Sequence, residues 1–210
     1  MIRVLVADDH TVVRRGVLQI LAEAPDMIVA EEASTGRDAL RSAQQNDYDV
    51  ILLDISMPDI NGLEVLKQLR VFKPEQRVLI LSMYPESQYA VRALKAGASG
   101  YLTKESAPDE LVAAVRKVSR GDRYITLSLA EELAAQLGGE DRETLSEGLS
   151  DREYQVMRLL ALGKTVTEVA EELSLSTKTI STYRVRVLQK LGLRNTAEII
   201  RYAVERGLVD

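Results

Sequence analysis

The sequence predicts an α/β doubly wound five-stranded parallel sheet followed by an all-α helix-turn-helix domain, and three observations predict it. Short apolar runs rich in branched residues alternate with segments of helical spacing through residues 1 to 122. Acidic residues stand just beyond the first and third of these runs. Residues 149 to 210 carry two S/T-x-x-E patterns and no strand-like run.

Ile2 to Ala7 is the first strand, and Val13, Val17, Ile20 and Leu21 recur at the spacing of one helix face behind it. Met27 to Ala30 is a shorter second strand. Val50 to Leu53 is apolar throughout, as in a parallel strand covered on both faces by helices. Val78 to Leu81 and Tyr101 to Leu102 supply the fourth and fifth strands. Leu111, Val112, Val115 and Val118 predict a fifth helix, which Gly121 and Asp122 end. Strands alternating with helices give a sheet wound on both faces, so residues 1 to 122 form the first domain.

Residues 123 to 148 read as a linker with one possible helix, Leu127 to Leu137, and then the charged, glycine-bearing stretch GGEDRETLSEG. In residues 149 to 210, Ser150 with Glu153 and Thr165 with Glu168 fit the capping box, which fixes helix starts near 151 and 166. Gly163 separates these two helices. A turn around Ser174 to Ser176 leads into a third helix, Thr177 to Leu191, that Gly192 stops. Two helices joined so tightly make a helix-turn-helix.

Composition narrows the chemistry. With no cysteine and one histidine, disulfides, thiol catalysis and imidazole metal clusters are excluded. A bound metal must use carboxylates and be a hard ion. No apolar run reaches the roughly 18 residues of a membrane span, and the run ended by Asp8 is too short for a secretory signal. A cytoplasmic protein with no membrane partner is expected. The net charge of −5 is uneven: residues 149 to 210 hold ten Lys and Arg against eight Asp and Glu, leaving 17 against 24 elsewhere. Lys178, Arg184, Arg186, Lys190 and Arg194 stand in an acid-free stretch from Leu173 to Ala197. Such a stripe on an acidic protein points to a nucleic-acid-facing element, although a solvated helix face has the same composition.

In a right-handed doubly wound sheet the first and third strands are neighbours, and ligands bind at the carboxyl edge. Asp8 and Asp9 therefore meet Asp54. Three clustered carboxylates repel and need a cation; oxygen donors point to Mg²⁺. Ser82 ends the fourth strand and Lys104 follows the fifth, on the same rim. Singly, Ser82 is an ordinary helix cap, Lys104 a loop charge and the aspartates turn residues. Together, a carboxylate nucleophile, a divalent metal, a lysine and a hydroxyl describe a site that accepts a phosphoryl group. His10 has no second imidazole and is read as a loop residue beside the pocket.

The stretches VLVADDH, LLDISMPDINGLEVL, LILSMY and KAGASGYLTKESAPDEL resemble a bacterial two-component receiver domain, a flavodoxin-like fold. The stretch LSDREYQVMRLLALGKTVTEVAEELSLSTKTISTYRVRVLQKLGL resembles a LuxR-type helix-turn-helix. Together they are similar to a response regulator of the NarL/FixJ class. The resemblance implies a phosphorylation-regulated transcriptional regulator, not an enzyme, whose Asp54 takes a phosphoryl group from a sensor histidine kinase. It implies Mg²⁺ held by Asp54, by Asp9 directly, by Asp8 through water and by the backbone carbonyl of Ser56. Ser82 and Lys104 would contact the transferred phosphoryl oxygens, and Tyr101 would be the aromatic that moves inward with Ser82. Double-stranded DNA is the implied partner, bound as a homodimer when phosphorylated, with the last helix, Ala197 to Arg206, as the usual dimer contact. Glu105 and Val166 depart from the proline and asparagine common at those positions.

On the third helix of the second domain, Ile180, Val187, Leu188 and Leu191 share one face and predict its core side. The opposite face carries Lys178, Ser181, Thr182, Val185 and Gln189. Lys178, Thr179, Tyr183, Arg184 and Arg186 are expected at the DNA, chiefly at phosphates, and Ser181, Thr182 and Val185 at base edges. Other functions fit less well. A haloacid-dehalogenase-type phosphatase needs a second acid two residues after the nucleophile, where this chain has Ser56. A ligand-sensing domain needs aromatics to line its pocket, and this chain has no tryptophan and one phenylalanine. A receiver that never takes phosphate has no need of the intact acid set.

Overall fold

The computed structural model describes residues 1–137 and 148–209. The chain divides into two compact units, Met1–Ala134 and Ala135–Asp210. In the first, β1 (Ile2–Ala7), β2 (Met27–Ala33), β3 (Val50–Leu53), β4 (Val78–Ser82) and β5 (Gly100–Thr103) form one parallel sheet in the order β2-β1-β3-β4-β5. Between and after them come α1 (Thr11–Ala22), α2 (Gly36–Gln45), α3 (Gly62–Phe72), α4 (Glu86–Lys95), α5 (Pro108–Ser119) and α6 (Leu127–Leu137).

Every residue of β3 and β4 is buried, as their unbroken apolar runs require of central strands. Alternation divides their side chains between two layers. On one face Val4, Val6, Leu52, Leu79 and Leu102 pack with Val17 and Leu21 of α1 and Leu111, Val115 and Val118 of α5. Leu5, Ile51, Leu53 and Ile80, on the other face, are buried too. With β1 and β3 paired through Ala7 and Leu53, the residues that follow them emerge side by side at the carboxyl edge.

The second strand runs three residues past the predicted Ala30, through Glu31 and Glu32 to Ala33. Its register against β1 slips after the Val4–Val29 pair, so that Leu5 faces Glu31 and Ala30 is left over. This bulge exchanges the faces of everything beyond it. Glu31 accepts from Tyr48 and from Asn46 at the end of α2, while Glu32 reaches Arg14 of α1.

The expected linker is tied to the first unit at its start. Tyr124 N–H donates to Ser99 O at 2.9 Å, and its hydroxyl donates to Glu110 Oε1 at 2.8 Å. Thr126 Oγ1 donates to Glu86 Oε2 at 2.6 Å while accepting from Leu129 N–H in the first turn of α6. The charged stretch beyond α6, residues 138–147, lies outside the described residues.

The second unit contains α7 (Asp151–Ala161), α8 (Val166–Glu172), α9 (Thr177–Leu191) and α10 (Thr196–Glu205). Both capping boxes form, Ser150 with Glu153 and Thr165 with Glu168. α7 packs on α9 and α10, and α8 on α9. Ser174, with φ 51°, makes the left-handed residue of the turn between α8 and α9, and Leu175 N–H closes it on Ala170 O at 2.8 Å. Gly192, φ 67°, ends α9 in the same conformation.

Candidate functional site

Asp54 N–H donates to Ala7 O at 2.9 Å, and Asp8 N–H to Ala33 O at 3.0 Å, so the sheet ladder itself sets both acids at its edge. Asp8, Asp9, His10 and Asp54 each offer one donor atom within 4.8 Å of the others. Asp8 and Asp54 are 2% and 1% exposed. Lys104 Nζ lies between them, 2.7 Å from Asp8 Oδ2 and 2.9 Å from Asp54 Oδ2. Asp54 Oδ1 is buried with no hydrogen-bond partner among the described residues.

Burial pushes the Asp54 carboxyl up to about 6; Lys104 opposes that rise and Asp8 adds to it. Burial also works against the Lys104 charge, but Asp54 and Asp8 outweigh it and hold the ammonium above its ordinary value. The lysine is thus the cation among these acids, and it leaves the second Asp54 oxygen buried without a hydrogen-bond partner among the described residues.

The loop from Asp54 to α3 is closely held. Asn61 caps α3 by accepting from Leu63 N–H at 2.9 Å, and Gly62 N–H returns to Ile55 O at 2.9 Å. A Cβ on Gly62 would stand 2.0 Å from Asp54 O, a backbone atom. Asp59 accepts from the N–H groups of Gly36 and Arg37 at 2.8 and 3.0 Å, joining the loop to the first turn of α2.

The remaining expected site residues divide. Ser82 is fully buried at the end of β4, and its Oγ accepts from Tyr84 N–H at 3.2 Å. Tyr101 is fully buried as well, with its hydroxyl donating to Tyr84 O at 2.8 Å. The ring is therefore already inward, and burial pushes its phenol above the ordinary range. Ser56 is half-buried in the loop after Asp54. His10 is not merely near the acids: its Nδ1 lies 2.8 Å from Asp9 Oδ1, with the side chain 56% exposed. No peptide bond among the described residues is cis.

On α9, Ile180 and Val187 are fully buried, and Lys178, Ser181, Thr182, Val185, Arg186 and Gln189 line an open surface groove. Tyr183 is half-buried, with the Arg186 guanidinium 5.9 Å from its ring centre. Thr179 lies in the first turn, where its N–H and hydroxyl both meet Ser176 Oγ. Two residues of the basic stripe bond to neighbouring helices. Arg184 Nε donates to Thr196 Oγ1 at 2.8 Å, at the start of α10, and Lys190 Nζ reaches Glu153 Oε2 of α7 at 2.6 Å.

An α/β unit with an acid-and-lysine rim, joined to a helix-turn-helix unit, defines the response regulators, and the chain belongs to that family. Residues 4–116 match the response regulator receiver domain and residues 147–203 the bacterial regulatory proteins of the luxR family. It is a DNA-binding two-component regulator. Among its relatives, the response regulator UvrY of Escherichia coli K12 is 38% identical, over 100% of this chain and 97% of that protein. The response regulator GacA of Pseudomonas aeruginosa is 36% identical, over 100% of this chain and 99% of that one. A solved structure of RcsB from Salmonella enterica serovar Typhimurium, bound to promoter rprA with the phosphomimetic BeF₃⁻, is similar at TM-score 0.64 and 28% identity, over 97% of this chain and 99% of that one.

Sequence reasoning passed over Arg14, Glu32 and Thr126. Arg14 carried a signal, since it falls one helical turn beyond the acid pair. Glu32 carried none, because its direction depends on the bulge.

Proposed function

We propose that Asp54 accepts a phosphoryl group from a sensor histidine kinase, and that the phosphorylated chain pairs with a second copy on double-stranded DNA. The observation that carries the first step is the buried Asp54, whose Oδ2 is held by Lys104 while Oδ1 has no hydrogen-bond partner among the described residues. In the transfer, an Asp54 oxygen forms a bond to phosphorus as the donor's bond to phosphorus breaks, and the donor keeps the electron pair. Lys104, within 2.9 Å of that carboxylate, takes up part of the added charge, with the Ser82 hydroxyl as second contact. Asp8, Asp9 and Asp54 offer the oxygen donors that suit a hard cation, and the unpartnered Asp54 oxygen fits the same reading. These carboxylates, with the Ser56 carbonyl, would hold Mg²⁺, which would supply charge neutralisation for the transferred group.

The test is intact mass after incubation with acetyl phosphate. Wild-type protein is expected to gain about 80 Da, the mass of one phosphoryl group, with Mg²⁺ and not with the metal chelated, and Asp54→Asn is expected to gain nothing. A phosphorylated Asp54→Asn protein would overturn the assignment.

DNA recognition rests on the open face of α9. Ser181, Thr182 and Val185 are short or apolar, so direct readout is modest and DNA shape contributes. A lone unit of this size binds weakly, which favours paired half-sites. Removing Lys178 or Arg186 is expected to weaken binding to all sequences and to lower the salt slope by about one each. Arg184→Ala is expected to weaken binding through the start of α10, with a smaller change in slope. Binding titrations at several salt concentrations check this.

A further inference from the structure

We infer that Arg14, oriented by Glu32, is a positioning residue that sets the affinity of the acid pocket for its divalent cation. The inference rests on the Mg²⁺ reading above. Besides the Lys104 ammonium at its Oδ2, Asp8 is held on three sides. Its N–H is in the sheet ladder, its Oδ1 accepts from His10 N–H at 2.8 Å, and its carbonyl accepts from Arg14 Nη1 at 2.6 Å. The first two bonds come from the chain's own path. The third comes from a side chain one turn into α1, only 15% exposed, and it ties the acid-bearing loop to the helix that follows.

Arg14 is held in turn. Its Nε donates to Glu32 Oε2 at 2.9 Å, and Glu32 faces α1 because of the bulge at Ala30. Without that extra residue Glu31 would stand opposite Val6 in its place. The bulge, the glutamate and the arginine thus form one line of support from the edge strand to the acid pair.

Two effects compete when Arg14 is removed. Loss of a cation near three carboxylates tightens metal binding, and loss of a fixed loop weakens it. Glu32 already neutralises Arg14, so the electrostatic effect is small and the positional one prevails. Groups that orient metal ligands from behind typically change affinity by 10- to 100-fold when removed. Arg14→Ala should fall near the lower figure, because three other contacts to Asp8 remain, from the sheet ladder, His10 and Lys104.

The experiment is a calorimetric Mg²⁺ titration of the full chain, together with the rate of phosphorylation by acetyl phosphate as Mg²⁺ is varied. Arg14→Ala is expected to weaken Mg²⁺ binding about tenfold. The Mg²⁺ concentration for half-maximal rate should rise by the same factor, with the saturated rate within about twofold of wild type. Glu32→Gln and Arg14→Lys should each lose about threefold, since each keeps one of the two links. Arg116→Ala, which breaks a pair with Asp26 at the opposite end of β2, should change neither. Unchanged or tighter Mg²⁺ binding in Arg14→Ala, or an equal loss in Arg116→Ala, would overturn the inference. Should Arg14→Ala fail to fold, Glu32→Gln decides the matter alone. Wild-type protein that binds no Mg²⁺ would instead overturn the reading on which the inference stands.

Discussion

Replacing Lys104 by methionine is expected to destabilise the receiver by about 3–5 kcal/mol at neutral pH, the usual consequence of removing one partner from a buried ion pair. Asp8 and Asp54 would then face each other, 2% and 1% exposed, without a cation. The pH dependence follows from Asp54, whose carboxyl is raised from 3.8 to about 6 in the folded protein. Between those values the folded state holds the proton and the unfolded state does not. Stability therefore falls as pH rises through this window, and the loss is complete above it. Without Lys104 the carboxyl rises further, so the variant should regain stability on acidification through a wider window than wild type. Asp54→Asn removes the reluctant charge and should be the more stable protein at neutral pH by up to roughly 3 kcal/mol, from two pKa units at about 1.4 kcal/mol each. In the double variant the penalty of losing Lys104 should shrink, because one buried carboxylate is gone. Urea unfolding of the four proteins above and below pH 6 checks this. Equal losses for Lys104→Met with and without Asp54 would show that the lysine acts through packing alone.

Phosphorylation of the full chain is expected to raise DNA affinity roughly 5- to 150-fold, the range of a coupling of about 1–3 kcal/mol. Tyr101 is inward in this structure. Its hydroxyl holds Tyr84 O, and Tyr84 N–H holds Ser82 Oγ. A phosphoryl group on Asp54 would accept the Ser82 O–H and reorient the hydroxyl whose Oγ holds Tyr84 N–H, and so act on the backbone of Tyr84, two residues before Glu86 opens α4. Affinity and sedimentation should be measured with and without acetyl phosphate. The gain should appear in wild type together with dimer formation, be blunted in Ser82→Ala, and vanish in Asp54→Asn. Equal affinities for the two wild-type states would leave a receiver that takes phosphate without governing DNA binding.

Features encoded close together in sequence were legible. The unbroken apolar run of β3 gave away a central strand, and each capping box named its helix start to the residue. The acid rim followed from the handedness rule, which made β1 and β3 neighbours before any distance was known. Features that depend on distant partners were not legible. Two successive glutamates looked like the end of β2, because nothing local shows that Tyr48 and Arg14 wait for them. The basic stripe is five residues in sequence, four of them on α9, but Arg184 and Lys190 reach Thr196 of α10 and Glu153 of α7. Charge counting reads composition; it does not see which ends of the side chains are taken. Tyr124 and Thr126 belonged by composition to a linker, yet their two hydroxyls tie them to α5 and α4.

The approach of Gly62 to the carbonyl of Asp54 has a consequence for the space of sequences open to this protein. At 2.0 Å from a backbone oxygen no side chain fits, and neither neighbour can yield without moving the end of β3 or the start of α3. Position 62 is therefore closed by geometry alone, whatever is asked of the molecule. Position 54 is different, since asparagine fills the same volume and loses only the chemistry. A library of variants selected merely for soluble, folded protein would keep a single letter at 62 and accept several at 54. Selected for signalling, it would narrow at 54 and stay unchanged at 62.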